Sequence, residues 1–327
     1  MRVVVLGGTE FIGRRIVELL VSRGDDVLVV HRGVTEPAGW VDCAHLHADR
    51  AGFAGVAGHV AAFGPDAVVD SHALTAADVE AVLPHLPDTR LIVLSSMDVY
   101  RAYEHLRGRT EGEAVPLTED AALRVGRYPY RGAGIGEDDY DKLHVEPPYL
   151  ARGGTVLRLG FCYGEHDPQR REEFVLRRVR AGRQRIPFGA GTLLLSRLYV
   201  GDAASAVLAT LGNPAAAGEV FNIAERRSRT VRGWAEQILA AAGSSAELVQ
   251  VPDRLLPVDL RLTGAVGQHM LGSAEKAIAV LGWRPSSDPQ ETVGRSVAWH
   301  LAHPPNVVDP GFDDDDDNVF AAADTGS

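Results

Sequence analysis

The chain has 327 residues, of which 45% are hydrophobic and 24% are charged. This balance is typical of an ordinary globular protein and excludes disordered, collagenous and disulfide-rich classes. The net charge is −11, and seven acidic residues follow His303 without a Lys or Arg among them. The rest of the chain is only mildly acidic, which argues against a surface for nucleic acid or anionic membrane, because such surfaces need clustered cations.

Cys43 and Cys162 lie far apart and outside any Cys/His spacing typical of zinc, so we expect neither a disulfide nor a metal site. No apolar run reaches the ~18 residues of a membrane span, and the N-terminal segment has the pattern of a buried strand instead of a signal peptide. The sequence thus predicts a cytoplasmic protein without membrane contact.

Short apolar runs alternate with helical patterns through the first half of the chain. The runs are Val3 to Leu6, Val27 to Val30, Ala67 to Val69, Leu91 to Leu94 and Thr155 to Leu159. Continuous apolar runs indicate strands that are buried on both faces, and their alternation with helices indicates a parallel sheet. We therefore predict an α/β fold with a doubly wound parallel sheet.

A glycine-bearing turn connects the first predicted strand to the first helix, and it reads Gly7-Gly8-Thr9-Glu10-Phe11-Ile12-Gly13. The free N–H groups and positive dipole end of that helix favour an anion, and glycine lets the backbone approach a diphosphate. Because the turn lies inside a complete βαβ unit, it predicts a dinucleotide site. The alternative is a turn whose glycines serve packing alone.

The regular pattern breaks between residues 101 and 139, in a polar stretch much longer than the ~4–6 residues of a usual connection. We expect a lid-like insertion there, within a dinucleotide-binding domain of residues 1–165. Residues 166–303 are expected to form mainly a smaller mixed α/β substrate domain, from which the chain crosses back to the first. Residues 304–327 are expected to be an acidic, disordered tail.

Six separated motifs resemble those of one family. They are LGGTEFIG (6–13), LSSMDVY (94–100), LRLGFCYG (157–164), YVGDAASAV (199–207), GEVFNIA (218–224) and LGWRP (281–285). Together they resemble the extended short-chain dehydrogenase/reductase family, the nucleotide-sugar epimerases and dehydratases, over about residues 1–300. The resemblance implies a Rossmann-type sheet and a nicotinamide dinucleotide. It is more specific for the fold than for the chemistry.

The choice between the two nicotinamide cofactors is made at the end of the second strand, where an acid accepts the ribose hydroxyls of NAD. This chain has His31 and Arg32 there and no acid. We therefore favour NADP, with Arg32 as the phosphate partner assisted by His31, and keep NAD as the alternative. Further cofactor residues implied by the resemblance are Gly7, Gly8, Thr9, Glu10, Phe11, Ile12, Gly13, Asp49, Arg50, Ser71, His72, Ala73, Ser95 and Lys142.

Glu10 stands where the family has the middle glycine of the turn. Its carboxylate should weaken binding of a diphosphate by like-charge proximity, unless it turns to solvent or to a neighbouring cation such as Arg14.

The resemblance implies a catalytic Ser, a Tyr, and a Lys four residues after the Tyr. Ser96 matches the Ser, and Lys142 fits the Lys position because Glu146 completes the KxxxE pattern. Four residues before Lys142 stands Asp138, whereas Tyr140 is only two residues away. Two helical steps turn the chain by about 200°, so in a regular helix Tyr140 and Lys142 would face opposite sides.

Three arrangements remain open from the residues alone. In the first, Tyr140 acts with Lys142, because the helix starts irregularly or starts only after Tyr140. In the second, Tyr140 pairs with His144, whose imidazole titrates near neutrality. In the third, no Tyr-dependent chemistry exists, Asp138 caps the helix and His144 lies on its surface.

We expect an NADP-dependent epimerase, dehydratase or reductase that acts on a hydroxyl-bearing, sugar-like small molecule, with Ser96 holding the oxygen and Tyr140 moving the proton. Seven arginines between Arg170 and Arg185 lie where relatives bind nucleotide sugars, which is compatible with a phosphorylated or nucleotide-linked substrate. A homodimer is also compatible, and no nucleic-acid partner is expected. The alternative is a catalytically degraded, dinucleotide-binding sensor or regulator of the same fold.

Overall fold

The computed structural model describes residues 1–37, 39–133, 137–285, 288–306 and 312–325. Its central strands are β1 (Arg2–Leu6), β2 (Asp26–His31), β3 (Ala44–His47), β4 (Ala67–Asp70), β5 (Arg90–Ser96), β6 (Thr155–Leu159) and β10 (Val220–Ile223). They form one sheet in the order β10-β6-β5-β4-β1-β2-β3, and every pairing in it is parallel. This confirms the predicted doubly wound α/β fold.

Helices cover both faces of the sheet. They are α1 (Phe11–Ser22), α2 (Phe53–Phe63), α3 (Ala76–Val82), α4 (Arg101–Gly108), α5 (Lys142–Ala151) and α7 (Val200–Leu211). Because side chains alternate along a strand, Val3 and Val5 of β1 join the core on one face with α1 and α7, while Val4 joins the core under α2, α3 and α5. None of the helices in the described residues is long and apolar enough to cross a membrane.

The order of the strands reverses between β1 and β4, which places a crevice at the carboxyl ends of these two strands. The glycine turn follows β1 and Ser71 follows β4, so both lie at this crevice. Ligands of doubly wound sheets bind at such a point.

The remaining elements build the C-terminal part. They are strands β7 (Phe161–Tyr163), β8 (Arg185–Phe188), β9 (Arg197–Tyr199) and β11 (Glu247–Gln250), and helices α6 (Glu173–Arg180), α8 (Val231–Ala241), α9 (Glu275–Leu281) and α10 (Pro289–Ala302). Strand β7 pairs with β9 and β8 with β11, and α6 packs against α8 and α10. Between these elements the chain returns to the central sheet through α7 and β10.

The segment 101–139 begins with the eight-residue helix α4, where we expected a polar connection without an element. Beyond α4 the segment is irregular and is tied to the main body by Arg124, which is buried. The Arg124 guanidinium donates to the backbone oxygens of Asp98 and Gly126 and to the Asp141 carboxylate. Residues 134–136 of this segment lie outside the described residues.

The acidic tail contains a helix, α11 (Phe312–Thr325), where the sequence predicted disorder. This helix is ordered because its Asp316 side chain is buried against Arg178. The Arg178 guanidinium donates to both oxygens of the Asp316 carboxylate, at 2.7 and 2.8 Å. Val319 of the same helix is also buried. A run of aspartates repels itself in isolation, but here a buried cation and an apolar contact compensate it.

Candidate functional site

The glycine turn has the close packing that a dinucleotide turn needs. Gly7 has a φ of +82°, which favours glycine, and a Cβ on Gly13 would lie 2.0 Å from the Gly7 oxygen. A Cβ on Gly8 would lie 2.8 Å from Cγ1 of Val29 on β2. The turn therefore brings α1 tightly onto the sheet and leaves its first backbone N–H groups at the crevice. These residues fit a diphosphate.

The other residues of the turn serve packing or face solvent. Thr9 is buried, and its hydroxyl lies 3.0 Å from that of Thr35. Ile12 packs against the core, and Phe11 has a φ of +40°. Glu10 is the exposed N-cap residue of α1 and makes no capping hydrogen bond with its side chain, whereas the nearby Arg14 bonds Glu18. The Glu10 carboxylate thus turns to solvent, one of the two arrangements that spare the diphosphate site.

The end of β2 carries the residues expected to select the cofactor. Arg32 is exposed and, among the described residues, makes no hydrogen bond or ion pair. His31 is buried, and its ring nitrogens lie 2.8 Å from Nδ1 of His45 and 3.2 Å from the Gly33 nitrogen. Arg32 is therefore available to a ligand, while His31 is held by its neighbours.

Of the residues after β3, Asp49 and Arg50 are already engaged. Oδ1 of Asp49 accepts from the Gly52 nitrogen at the start of α2, at 2.6 Å. The Arg50 guanidinium donates to the buried carboxylate of Asp70 and lies 3.2 Å from that of Asp78. The Asp70 charge keeps the Arg50 ionised and raises its pKa. Arg50 thus links the segment after β3 to the end of β4 and to α3.

Ser71, His72 and Ala73 lie beneath the glycine turn after β4. The Ser71 hydroxyl donates to the Leu6 and Gly7 oxygens at 2.9 and 2.8 Å, and a Cβ on Gly7 would lie 2.9 Å from Cβ of His72. The Ala73 oxygen accepts a hydrogen bond from Nζ of Lys142. The structure therefore connects the expected cofactor turn to the expected catalytic lysine.

The start of α5 resolves the register of Tyr140 and Lys142. The helix begins at Lys142, and its N-cap is Asp141, whose carboxylate accepts from the Leu143 nitrogen at 3.0 Å. Tyr140 precedes the helix, so the rotation of about 200° that two helical residues would impose does not apply between Tyr140 and Lys142. Nζ of Lys142 lies 5.7 Å from the centre of the Tyr140 ring. This is the arrangement in which the helix starts only after Tyr140.

Asp98 connects the catalytic candidates. Its Oδ2 accepts hydrogen bonds from the hydroxyls of Tyr130 and Tyr140, each at 2.9 Å, and its nitrogen donates to the Ser96 hydroxyl at 3.1 Å. Oδ1 of Asp98 is buried, and no group in the described part of the chain hydrogen-bonds to it. Burial raises the pKa of Asp98, against the lowering effect of the two tyrosine hydroxyls and Arg124.

Tyr140 holds its proton firmly in this arrangement. Burial and the neighbouring Asp98 carboxylate keep the pKa of Tyr140 well above its usual range, and the Ser96 hydroxyl acts in the opposite direction. Lys142 is buried and donates to the Leu94 oxygen at 3.0 Å as well as to Ala73. Burial lowers the pKa of Lys142 to about 8.

The other catalytic candidates lie elsewhere. His144 stacks on Tyr128, with ring centres 5.7 Å apart, instead of approaching Tyr140. Asp138 is exposed and accepts from the Gly132 nitrogen at 2.9 Å, so it does not cap α5. The Ser95 hydroxyl donates to the buried carboxylate of Glu146 at 2.6 Å, so it is engaged outside the hydrogen bond between Tyr140 and Asp98.

The arginines between residues 170 and 185 are largely neutralised by acids. Arg178 and Arg177 pair with Asp259, and Arg183 pairs with Asp317. Of the remaining residues of this group, Arg170 and Arg180 pair with Glu173, Arg171 pairs with Asp167, and Arg185 lies over the Phe320 ring. Six of these seven arginines are therefore directed at carboxylates, and the group has a structural role in this chain.

Sequence reasoning missed Asp98, Tyr130 and Arg124. Asp98 lies inside the LSSMDVY motif, two residues after the end of β5, so its position just beyond a central strand was a signal. Tyr130 and Arg124 lie in the irregular insertion, and no spacing rule connects them to Asp98. Their contact is a product of the tertiary fold.

Comparison with known proteins shows which families and folds this chain is similar to. Residues 149–224 match the model of the NAD dependent epimerase/dehydratase family. The chain is 29% identical over 306 residues to a chloroplast stem-loop binding protein of 41 kDa from Arabidopsis thaliana, covering 88% of this chain and 76% of the relative. It is 27% identical over 321 residues to a 3-diazoavenalumate denitrifying reductase from a Streptomyces species, covering 88% and 96%.

Among solved structures, a UDP-glucose-4-epimerase from Stenotrophomonas maltophila with bound NAD and formylated UDP-arabinopyranose superposes with a TM-score of 0.73. The identity is 18%, over 92% of this chain and 98% of that one. The chain is therefore similar to the epimerase/dehydratase family over residues 149–224 and shares its fold. The crevice at β1 and β4 is the place where doubly wound sheets bind their ligands, and Tyr140 and Lys142 lie together at the same edge of the sheet, where Ser96 ends β5.

Proposed function

We propose that this protein is an NADP-dependent enzyme that transfers hydride to or from a hydroxyl- or carbonyl-bearing small molecule, sugar-like in the manner of the family. The observation that carries the proposal is the grouping of Ser96, Tyr140 and Lys142 at the carboxyl end of β5, with Lys142 bonded to the Ala73 oxygen beneath the glycine turn. This grouping survives although the sequence spacing departs from that of the family.

The proton state of Tyr140 favours the direction of reduction. Because its pKa lies well above the usual range, Tyr140 carries its hydroxyl proton at neutral pH and is suited to donate it. When bound, the nicotinamide would supply the hydride. Ser96 would orient the substrate oxygen, Tyr140 would donate its proton to that oxygen, and Asp98 would hold the Tyr140 hydroxyl in place beforehand.

Lys142 would support this step by its charge. Its ammonium lies near the Tyr140 ring and stabilises negative charge that develops on the tyrosine oxygen after the proton leaves. With a pKa of about 8, part of this charge is lost in mildly alkaline solution. We therefore propose that turnover declines above about pH 8.

The Tyr140→Phe variant tests the proposal. Because only the hydroxyl is removed, cofactor affinity should stay unchanged, and turnover should fall by about 10²–10⁴-fold, the usual share of positioned acid–base catalysis. Turnover is measured in two arms, NADPH oxidation with aromatic and sugar ketones, and NMR of UDP-glucose incubated with the protein. Tyr128→Phe is the control, since Tyr128 stacks on His144 outside the Asp98 hydrogen bonds.

Full activity of Tyr140→Phe would show that another group donates the proton, and Asp98 would be the next residue to substitute. NADPH binding without turnover in either arm would instead favour the dinucleotide-binding sensor. The name of the Arabidopsis relative raises a third outcome, stem-loop RNA binding. The acid-paired arginines of α6 argue against it, and a gel shift with a stem-loop RNA at physiological salt checks this directly.

A further inference from the structure

Three histidines and one glutamate converge at the end of β2, outside the catalytic group. We call His31, Glu36, His45 and His47 the histidine cluster. His31 ends β2 and Glu36 lies in the loop that follows, while His45 and His47 lie on β3. Because side chains two apart on a strand share a face, and His31 pairs with His47 in the register of the sheet, all three imidazoles meet on one face.

The polar atoms of the histidine cluster are close enough to share one ligand. One ring nitrogen or carboxylate oxygen from each of the four residues lies within 4.8 Å of those of the other three. Nε2 of His31 lies 2.8 Å from Nδ1 of His45 and 3.5 Å from Oε1 of Glu36, and Nε2 of His47 lies 2.6 Å from the same oxygen.

The environment of the cluster favours a neutral imidazole at His31. His31 is buried, and burial together with the neighbouring His45 and His47 lowers its pKa. Trp40 packs its ring edge-on against His45, with centres 5.8 Å apart. The side chains of Glu36 and His47 are about half exposed, at 49% and 57%, so solvent can reach the cluster from that side.

We propose that the histidine cluster is a binding site for a divalent transition-metal ion of the Zn²⁺ class. Three imidazole nitrogens and one carboxylate oxygen form a ligand set typical of zinc, whereas Mg²⁺ and Ca²⁺ prefer oxygens alone. In a tetrahedral site with bonds of about 2.0–2.1 Å the ligand atoms are about 3.3–3.5 Å apart. The cluster reaches that geometry through side-chain shifts of about an ångström.

Ion binding requires one change in the loop after β2. The Gly33 nitrogen donates to Nδ1 of His31 at 3.2 Å, so the proton of a neutral His31 is on Nε2. An ion on Nε2 displaces that proton, and Nδ1 must then carry one and can no longer accept from Gly33. The Gly33 amide therefore turns away when the ion binds. Gly33 has a φ of +76°, and glycine permits such a change of backbone conformation.

The proposal does not depend on the activity of the enzyme, and Co²⁺ is the probe. Full-length protein, freed of any purification tag and treated with chelator, is titrated with Co²⁺ and followed by its visible ligand-field absorption. We expect saturation at one ion per chain with the intense bands of tetrahedral coordination, displacement of Co²⁺ by Zn²⁺, and no displacement by Mg²⁺. NMR should show the Gly33 amide signal move on saturation.

The variants are His47→Ala and, as the matched control, His59→Ala. His47 is exposed enough for its removal to leave the fold intact, and His59 is an exposed histidine on α2 outside the cluster. His47→Ala should weaken Co²⁺ binding by at least about tenfold, while His59→Ala should leave it unchanged. Glu36→Gln, which keeps the shape and removes the charge, should also weaken it.

Two results would overturn the metal site. One is the absence of saturable Co²⁺ and Zn²⁺ binding up to millimolar concentration in the folded protein. The other is binding that His47→Ala and Glu36→Gln retain at the affinity of the unchanged chain. In either case the cluster would be a hydrogen-bonded group that serves the structure of the β2–β3 edge.

Discussion

Asp98 and Arg32 show how single residues adapt a common dinucleotide fold to this chain. The Asp98 carboxylate takes two tyrosine hydroxyls as donors and stands directly beside Ser96. Arg32, at the other end of the crevice, stands exposed at the position where the fold selects between cofactors. Together with burial, the first residue raises the pKa of Tyr140, and we propose that the second selects between the two cofactors.

The first residue-scale prediction concerns Arg32. NADPH should bind more tightly than NADH, and Arg32→Ala should remove most of that preference while barely changing NADH affinity. Loss of a charge-assisted phosphate contact costs ~1.5–3 kcal/mol, or roughly ten- to a hundredfold in affinity. Calorimetric titration of both cofactors in the presence of chelator measures this, with the exposed Arg254→Ala as control. Equal or tighter binding of NADH by the unchanged chain would contradict it.

At the scale of elements, the tail helix α11 is held to α6 and to the turn that follows α6 by ion pairs of two kinds. Asp316 and Arg178 are both fully buried, and Arg178 also contacts Asp259 at 2.7 Å. Asp317 is 67% exposed where it meets Arg183. Two neighbouring aspartates of one helix therefore make a buried pair and an exposed one.

We predict that Asp316→Ala destabilises the protein much more than Asp317→Ala. Removal of the Asp316 carboxylate leaves the buried Arg178 charge with one partner fewer, at a cost of about 3 kcal/mol. Removal of the exposed Asp317 should cost less than about 1 kcal/mol, because solvent already screens its pair with Arg183. Urea unfolding of the two variants measures the difference. If both variants unfolded at the same urea concentration, α11 would not be docked through Asp316.

At the scale of the molecule, a buried carboxyl links the C-terminal elements and makes their stability depend on pH. Glu172 is the N-cap residue of α6 and is fully buried. Its carboxylate accepts from the Ser296 hydroxyl of α10 at 2.5 Å and lies 3.5 Å from Nε2 of His300. Burial raises the pKa of Glu172 to about 7, although the Ser296 hydrogen bond lowers it.

The sign of the pH effect follows from the raised pKa of Glu172. The folded protein binds this proton more tightly than the unfolded chain, so the stability from this group is complete below about pH 4.5 and is lost as the pH rises to about 7. Glu172→Gln stays neutral. Between pH 5 and pH 8 the stability of Glu172→Gln should therefore rise, relative to the unchanged chain, by about 2–3 kcal/mol.

Denaturant unfolding of both proteins at the two pH values tests this, because titrations of groups that do not contact Glu172 cancel in the comparison. Glu236→Gln, exposed on α8, is the control and should show no such rise. A relative stability of Glu172→Gln that stays constant between the two pH values would show that the Glu172 carboxyl is already ionised at pH 5 in the folded protein.

The amino-acid sequence by itself determined the sheet and the dinucleotide turn. Continuous apolar runs such as Val3 to Leu6 specify buried parallel strands locally, and the glycines of 7–13 specify a turn that other residues cannot form without a clash. Both signals lie within a few consecutive residues. The same holds for Ser96, which is the last residue of β5.

Only the tertiary structure decided the rest, because those features depend on residues that are distant in the chain. The helix α5 begins at Lys142 since Asp141 caps it, and that start, which the residues alone left open, places Tyr140 beside Lys142. The approach of Tyr130 to Asp98 needs the path of an irregular insertion. The acidic tail folds because Arg178 neutralises it, and the histidine cluster forms because β3 pairs with β2. Local patterns carry no information about such partners.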